Sequence, residues 1–230
     1  LGGPETMDAE TLVNTPLAAM PFVVSELIPQ GLHMIGGAAK IGKSWLMLWL
    51  GLRIAKGEPI WNYECKQGTV LYLALEDSYE RLQRRLLDLT DEGSPHLHCA
   101  VVCKTLADGF CEEIDAFMAE NPSTRMIIVD TFQKIRGDGA GNTNPYAHDY
   151  QELSMLKELA AKHGIAILLV HHLRKQGAND PVNTLTGSTG ISGAVDSTFI
   201  LQRDKRTENR GNPVLHRQRY HLLLKPICLL

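Results

Sequence analysis

A glycine-rich stretch near the start of the chain has residue types and spacing suited to phosphate binding. It reads GAAKIGKS from Gly37 to Ser44, matches the pattern G-x-x-x-x-G-K-[ST], and precedes an apolar segment. The glycines permit a tight turn whose backbone N–H groups face an anion, and the following helix adds the positive end of its dipole. The predicted nucleotide-binding residues are Gly37, Ala38, Ala39, Lys40, Ile41, Gly42, Lys43, Ser44 and Trp45.

Three polar residues of this stretch have separate chemical roles. Lys43 can reach the β- and γ-phosphates of a nucleotide, and the Ser44 hydroxyl can ligate Mg²⁺. Lys40 can also touch a phosphate, although a solvated side chain is the simpler interpretation. The stretch therefore predicts ATP binding with Mg²⁺ as the metal cofactor.

Two apolar segments end in carboxylates that fit the same chemistry. Asp130 closes MIIVD, and a carboxylate at the end of a buried strand beside a phosphate loop can hold Mg²⁺. Glu76 closes VLYLALE, where it can orient and deprotonate the water that attacks the γ-phosphate. Asp77 competes for that role, but with Glu80 three residues later it fits a helix N-cap better. We therefore expect Ser44 and Asp130 to ligate the metal and Glu76 to be the base.

A histidine pair follows another apolar segment, ILLV. If the strand continues, His171 and His172 face opposite sides of the sheet, because successive side chains of a strand alternate. One can then donate a hydrogen bond to the γ-phosphate and report its presence, while the other packs or caps. Both are candidate catalytic residues.

Apolar segments rich in β-branched residues alternate with amphipathic ones, which predicts βαβ units around a mostly parallel sheet. The fold class is therefore α/β. Helices are expected at Lys43–Lys56, after Asp77–Ser78, and at Ala147–His163. Strands are expected at His33–Gly36, Thr69–Leu75, Leu97–Val102, Met126–Asp130, Ile165–Val170, Thr198–Gln202 and His216–Leu224.

Two segments lack any periodic pattern, and both follow apolar strands. They run from Arg136 to Pro145 and from Gln176 to Gly193. Loops of this length in a compact domain usually have a function, and ligands of open α/β sheets bind at the carboxyl ends of strands. We expect both loops to lie at the functional edge of the sheet, with plain solvated connections as the alternative.

Composition narrows the class of protein. The chain has 230 residues with 44% hydrophobic and 21% charged, which indicates a folded globular protein. Lys and Arg total 23 against 26 Asp and Glu, a net charge of −3, so coating of nucleic acid by bulk attraction is excluded. No apolar segment approaches the length of a bilayer span, and five cysteines are an odd number, so we expect no membrane partner and a cytoplasmic protein with reduced thiols.

Together, the segments GAAKIGKS, VLYLALED, MIIVDTF and ILLVHHLRK resemble the RecA-fold ATPases. The similarity is strongest to the RepA-type plasmid replicative DNA helicases and their AAA-family phage and mobile-element relatives, from Pro21 to Arg206. The resemblance implies a RecA-like P-loop fold with a C-terminal β-hairpin. It also implies a homo-oligomeric ring, a hexamer, that hydrolyses ATP between subunits and moves on single-stranded DNA.

Carried over by motif, the resemblance makes Glu76 the catalytic glutamate, Asp130 the metal-binding aspartate and His172 the γ-phosphate sensor, with His171 as the alternate. The loops Arg136–Pro145 and Gln176–Gly190 would line the DNA channel. Basic residues of LQRDKR would reach the neighbouring subunit's ATP, with the arginine-finger role falling to Lys205 or Arg206. They belong to a basic strip, Arg203–Arg219, whose alternative interpretation is a solvated hairpin.

The predicted organisation is an N-terminal extension, residues 1–20, followed by an ATPase core, residues 21–230. The C-terminal HLLLKPICLL does not resemble the usual continuation of such helicases, so a core truncated at that end is an open alternative. The function expected is Mg²⁺-dependent ATP hydrolysis coupled to translocation on, unwinding or remodelling of DNA in replication of a plasmid, phage or mobile element. An ATP-gated DNA-binding or assembly module without unwinding is the alternative, and a small-molecule kinase ranks last.

Overall fold

A mostly parallel sheet forms the centre of the computed structural model, which describes residues 5–17, 21–136, 145–172, 194–202 and 221–223. The strands are β1 (Phe22–Val24), β2 (Ile28–Pro29), β3 (Gly31–Gly37), β4 (Thr69–Ala74), β5 (Leu97–Ala100), β6 (Thr124–Asp130), β7 (Ala166–His172), β8 (Ser197–Gln202) and β9 (His221–Leu223). The helices are α1 (Ala9–Asn14), α2 (Lys43–Lys56), α3 (Tyr79–Leu89), α4 (Phe110–Glu120) and α5 (Pro145–His163), and a 3₁₀ turn spans Phe132–Lys134.

The described strands of the main sheet lie in the order β5-β4-β6-β7-β3-β8-β9. All neighbours are parallel except β8 and β9, which pair antiparallel, while β1 and β2 form a separate small hairpin. The strand β3, which leads into the phosphate loop, therefore lies between β7 and β8. This topology confirms the predicted RecA-like class with helices around a mostly parallel sheet.

Two apolar clusters cover the two faces of the sheet. One face packs against α2 and α3 and buries Ile128 of β6 together with Leu168 and Val170 of β7. The other packs against α4 and α5 and buries Val129 and Leu169. The face against α2 and α3 is called the α2 face below, and the face against α4 and α5 is called the α5 face. Because successive side chains of a strand alternate, each residue at a strand end belongs to one of these two faces.

The helix after the phosphate loop has the bounds that its sequence predicts. It begins after Gly42, whose φ of 103° lies in the left-handed region, and it ends at Gly57, whose φ is 70°. The N–H of Gly57 closes the last turn on the carbonyl groups of Arg53 and Ile54. The two glycines therefore fix both the start and the end of α2.

Some elements differ from the prediction. The helix α4 was not expected, because it begins after Gly109 with no side-chain cap and so lacks the usual N-terminal signal. It forms because Phe110, Ile114 and Met118 recur at helical spacing and are buried on the α5 face. The strand at Leu97 ends at Ala100, two residues before its predicted end.

Several predicted features lie outside the described residues. These are the loop from Gln176 to Gly193, most of the loop from Arg136 to Pro145, and the basic strip with Lys205 and Arg206. The expected strand His216–Leu224 is described only as β9. Among the described helices, none is both long enough and apolar enough to cross a membrane.

Candidate active site

The phosphate loop joins β3 to α2, and two glycines determine its path. A Cβ atom at Gly37 would lie 2.9 Å from the carbonyl oxygen of Leu201, so the neighbouring strand β8 requires glycine there. Lys40 adopts a left-handed φ of 59°. Its side chain is exposed, as are those of Ala38 and Ala39 before it, whereas Ile41 is buried. The loop is therefore anchored at both ends and open to solvent between them.

Lys43 lies inside this loop and is only 4% exposed. Its Nζ donates to the carbonyl oxygens of Gly37 at 2.7 Å and Ala38 at 2.9 Å, so the ammonium group lies against the loop backbone. Burial lowers the pKa of Lys43, while the negative charges of Asp130 and Glu76 act in the opposite direction. A buried cation with these two carboxylates nearby is suited to receive the phosphates of a nucleotide.

Asp130 ends β6 beside the loop and is 5% exposed. Its Oδ2 accepts a hydrogen bond of 2.9 Å from the hydroxyl of Tyr72 on β4, and that hydroxyl also lies 3.4 Å from the carbonyl oxygen of Ser44. Burial, with the nearby Asp130 carboxylate as the second cause, raises the pKa of Tyr72, so the phenol stays protonated as a donor. Tyr72 was missed in the sequence because a tyrosine within an apolar strand reads as core.

The residues present fit the predicted metal. Mg²⁺ prefers hard oxygen ligands and is commonly bound through one or two carboxylates and the phosphates of a substrate. Asp130 supplies a buried carboxylate, and Ser44 supplies a hydroxyl from the first turn of α2. Both residues lie at the carboxyl end of the sheet beside Lys43.

Glu76 and His172 come together from different strands. The Nε2 atom of His172 lies 3.6 Å from Oε2 of Glu76, and their side chains are 44% and 49% exposed. His172 is two residues beyond Val170, which places it on the α2 face with Asp130 and the phosphate loop. The structure thus brings His172, rather than His171, to the predicted base.

The neighbouring acid Asp77 has a different environment, and its predicted role as N-cap is wrong. The N-cap of α3 is Ser78, whose Oγ accepts from the backbone N–H of Arg81. The Asp77 side chain is 8% exposed and forms ion pairs with Arg81 at 3.0 Å and with Arg85. Two cations therefore hold Asp77 in place, and Glu76 extends from the same turn toward the loop.

Trp45, the last residue assigned to nucleotide binding, contacts Arg85 of α3. The guanidinium carbon of Arg85 lies 5.6 Å from the centre of the Trp45 ring, a cation–π distance. Arg85 thereby links α3 to the first turn of α2. The contact gives Trp45 a packing role behind the loop in addition to its predicted position beside the nucleotide.

A cluster that the sequence did not reveal lies on the α5 face. Arg136 donates from Nε to Oε2 of Glu152 at 2.6 Å and from Nη2 to Oδ1 of Asp149. Its guanidinium carbon lies 5.4 Å from the ring centre of Phe132, and His148 Nδ1 lies 3.4 Å from Arg136 Nη2. The carboxylates were missed because they lie on α5, where acids at helical spacing usually read as a solvated face.

The two carboxylates and His148 form the group of possible metal ligands found among the described residues. One ligand atom from each of His148, Asp149 and Glu152 lies within 4.8 Å of the others. Arg136 already donates to both carboxylates, so the guanidinium supplies the positive charge that a metal would bring. We therefore interpret the group as an ion-pair cluster.

His171 is within electrostatic range of both this cluster and Lys43 of the phosphate loop. It is two residues beyond Leu169, so it belongs to the α5 face, opposite to His172. Burial lowers the pKa of His171, and His172, Arg136 and Lys43 act in the same direction, whereas the negative charge of Asp149 acts in the opposite direction. Neutral imidazole is therefore the favoured form of His171.

Comparison with known families gives a match over most of the chain. A family model described as AAA domain matches residues 4–178. That span contains the phosphate loop, both strand-end carboxylates and the histidine pair.

Curated relatives give a weaker and partial match. DNA repair protein RadA of Halalkalibacterium halodurans is 28% identical over 200 residues, covering 86% of this chain and 39% of that protein. DNA repair protein RadA of Streptococcus pyogenes serotype M1 is 26% identical over 180 residues, covering 78% and 34%. The chain thus spans less than half the length of these relatives.

Solved structures share the fold at low identity. One of them, a separately solved ATPase domain, superposes with a TM-score of 0.60 and 13% identity, covering 80% of this chain and 73% of that one. A DnaB-like replicative helicase, solved in a study of its interactions with primase, gives 0.60 and 13%, with 84% and 54% covered. These similarities show the fold.

Proposed function

Because the chain belongs to the AAA domain family, we propose that it hydrolyses ATP and couples the hydrolysis to translocation on, unwinding or remodelling of DNA. One observation carries the ATPase proposal. Lys43, Glu76, Asp130 and His172 come from four separate segments and meet on the α2 face at the carboxyl end of the sheet. That edge is where open α/β sheets bind their ligands.

Each of these side chains has a role that its surroundings support. Lys43, held against the loop carbonyls, transfers its hydrogen bonds to the β- and γ-phosphates when ATP binds. Glu76 is half exposed, so a water molecule can reach its carboxylate, which orients the water and accepts its proton. His172 lies beside Glu76 and can donate a hydrogen bond to the γ-phosphate.

The metal would be held by Ser44 and Asp130. When bound, Mg²⁺ neutralises charge that develops on the phosphate oxygens. Tyr72 keeps the Asp130 carboxylate oriented through a buried hydrogen bond, and Lys43 supplies a second, fixed positive charge. The protein thus contributes a preorganised set of donors and acceptors.

Several observations support the coupling to DNA. The structural neighbours include a DnaB-like replicative helicase, and the curated relatives are named DNA repair proteins. Ring assembly, most simply a hexamer, would place Lys205 or Arg206 at the ATP of the next subunit. β6 and β7 end at the same edge of the sheet as the nucleotide-binding residues, and the segments predicted to contact single-stranded DNA follow these two strands in sequence.

A second candidate is an ATP-gated DNA-binding or assembly module that does not unwind DNA. The repair names of the curated relatives favour it, because remodelling of DNA in repair does not require processive strand separation. The net charge of −3 also favours contact confined to the loops. Service to a plasmid, phage or mobile element and the domain boundary near residue 20 remain predictions.

ATP turnover measured with and without single-stranded DNA tests the proposal. We expect Mg²⁺-dependent hydrolysis that DNA stimulates, and a ring-sized particle in gel filtration with a non-hydrolysable ATP analogue. A strand-displacement assay then separates the two candidates, since DNA-stimulated hydrolysis without displacement supports the module. Absence of hydrolysis under all these conditions would overturn the ATPase proposal.

A further inference from the structure

The buried ion cluster on the α5 face lies in an apolar environment. The side chains of Arg136, Asp149 and Glu152 are 19%, 10% and 7% exposed, and the fully buried ring of Phe132 lies against the guanidinium. Replacing a buried ion cluster of this kind by apolar residues is often neutral or stabilising. Packing alone therefore gives no reason for charges at this position.

The cluster joins two elements that flank the catalytic edge. Arg136 follows the 3₁₀ turn directly after β6, the strand that carries Asp130. Its two carboxylate partners lie on α5, which packs on the sheet next to β7 and β3. The planar guanidinium donates one hydrogen bond to each carboxylate, so the end of β6 and the first half of α5 are tied together.

β7 packs against both of the joined elements, since Leu169 lies in one buried cluster with Phe132 of the 3₁₀ turn and Leu153 of α5. His171 and His172 are paired in register with Gly36 and Gly37, the last residues of β3 before the phosphate loop. His171 is within electrostatic range of both Arg136 and Lys43. The strand end thus has the cluster on one face and the pair formed by His172 and Glu76 on the other.

We propose that Arg136 and Asp149 are positioning residues for ATP hydrolysis, which tie the 3₁₀ turn to α5, thereby fix the end of β7 that packs against both, and so hold His172 at Glu76. Neither residue touches the nucleotide. The contact between His172 and Glu76 is 3.6 Å long and half exposed, so packing around it does not determine its geometry. The rigid cluster on the opposite face supplies that constraint. The inference rests on the proposed hydrolysis of ATP.

Kinetics of three variants of the full chain provide the main test. In Arg136→Ala and Asp149→Asn we expect kcat for ATP to fall about tenfold or more with KM changed by less than about twofold, because misplaced catalytic groups slow the chemical step more than binding. Arg136→Lys keeps the charge without the two fixed donors of the planar guanidinium, so its kcat should fall between those of wild type and Arg136→Ala.

Arg53 offers a matched control. It also pairs with a glutamate, Glu58 at 2.6 Å, and its guanidinium carbon lies 5.8 Å from the Trp49 ring centre, but it lies in the last turn of α2 away from the catalytic edge. Arg53→Ala should leave kcat and KM near wild-type values. The two variants are compared under conditions where both are fully folded, and equal kinetic losses there would overturn the positioning role.

The imidazole of His171, followed by NMR, gives a second measurement. Removing the positive charge in Arg136→Ala should raise the pKa of His171, and removing the negative charge in Asp149→Asn should lower it. Shifts of opposite sign would show that both charges of the cluster act on the end of β7, whereas the ratio of the kcat change to the KM change tests the positioning role. If Arg136→Ala does not fold, Arg136→Lys and Asp149→Asn decide the outcome.

The results separate this inference from the function on which it rests. Lack of ATP turnover in the wild-type protein overturns both. Turnover in the wild type with unchanged kcat in Arg136→Lys and Asp149→Asn overturns the positioning role and leaves the ATPase proposal in place. Parallel changes in kcat and KM, or no change in the pKa of His171, also count against the positioning role.

Discussion

The two faces of the sheet carry charges at the same edge but treat them differently. On the α2 face, Glu76 and His172 are about half exposed and meet at 3.6 Å. On the α5 face, Arg136, Asp149 and Glu152 are largely buried and hydrogen-bonded to one another. The pair of Glu76 and His172 therefore stays accessible to a ligand, whereas the charges around Arg136 satisfy one another.

This contrast also explains the neighbouring acids of the β4–α3 turn. Asp77 is held by two arginines and is almost fully buried, while Glu76, next to it in sequence, reaches the solvent-exposed edge. One residue fixes the turn and the other is presented from it. These two adjacent acids therefore show the same difference between a buried, paired charge and an exposed one that is seen between the two faces.

The largest expected effect is on the α2 face, in Lys43→Ala. Loss of the buried ammonium group removes two donors to the phosphate loop and the fixed positive charge beside Asp130. We expect ATP turnover to fall by about a hundredfold or more, with weakened nucleotide binding. Lys66→Ala is the control, since Lys66 is exposed and lies outside the phosphate loop, and it should retain most activity. A Lys43→Ala protein with normal turnover would exclude this loop as the catalytic site.

Glu76→Gln should separate binding from chemistry. The amide keeps the shape of the side chain but cannot accept a proton, so turnover should fall by about 10² to 10⁴ while ATP still binds. Nucleotide binding by calorimetry and hydrolysis by phosphate release provide the two measurements. Asp77→Asn is the informative comparison. It should reduce thermal stability as well as turnover, because it leaves Arg85 without its full charge partner.

Removing the central cation of the α5 face should lower stability in addition to kcat. Arg136→Ala leaves two buried carboxylates without that charge, and we expect a loss of about 3 to 5 kcal/mol in the free energy of unfolding. Arg53→Ala, at a more exposed ion pair, should cost about 1 kcal/mol. Urea unfolding with a constant m-value measures both. Similar costs would show that burial does not distinguish the two sites.

Acid should weaken the folded state through its buried histidines. Burial lowers the pKa of both His33 and His171, so below about pH 6.5 the unfolded chain binds protons that the folded chain does not. Stability is therefore fully present above that pH and falls as the pH decreases toward the folded-state pKa values. Thermal melts between about pH 7.5 and 5.5 measure the loss of stability. In His171→Gln this loss should be smaller than in the wild type.

His33 should account for the rest of the stability lost in acid. It is fully buried, and its Nε2 lies 2.8 Å from the carbonyl oxygen of Pro29. Among the described residues its Nδ1 has no hydrogen-bond partner, so a proton added there would be buried without an acceptor. A stability profile that is flat across this pH range would contradict the burial argument for both histidines.

Local signals in the sequence predicted the fold well where particular residues mark the start and the end of an element. The bounds of α2 follow from Gly42 and Gly57, and the parallel strands follow from their apolar, β-branched runs. The helix α4 was missed because Gly109 gives no side-chain cap, and its burial depends on contacts with distant segments. Ser78 rather than Asp77 is the N-cap of α3, because the Asp77 carboxylate is instead paired with Arg81 and Arg85 of that helix.

The sequence by itself determined which residues can carry the chemistry, because a phosphate loop and strand-end carboxylates are local patterns with few alternative explanations. It also predicted that His171 and His172 face opposite sides, since strand side chains alternate. Only the tertiary structure decided which face each one joins. The choice depends on the pairing of β7 with β3 and β6, and on the packing of α5 against the sheet. No local pattern encodes these long-range contacts, and they also create the cluster around Arg136.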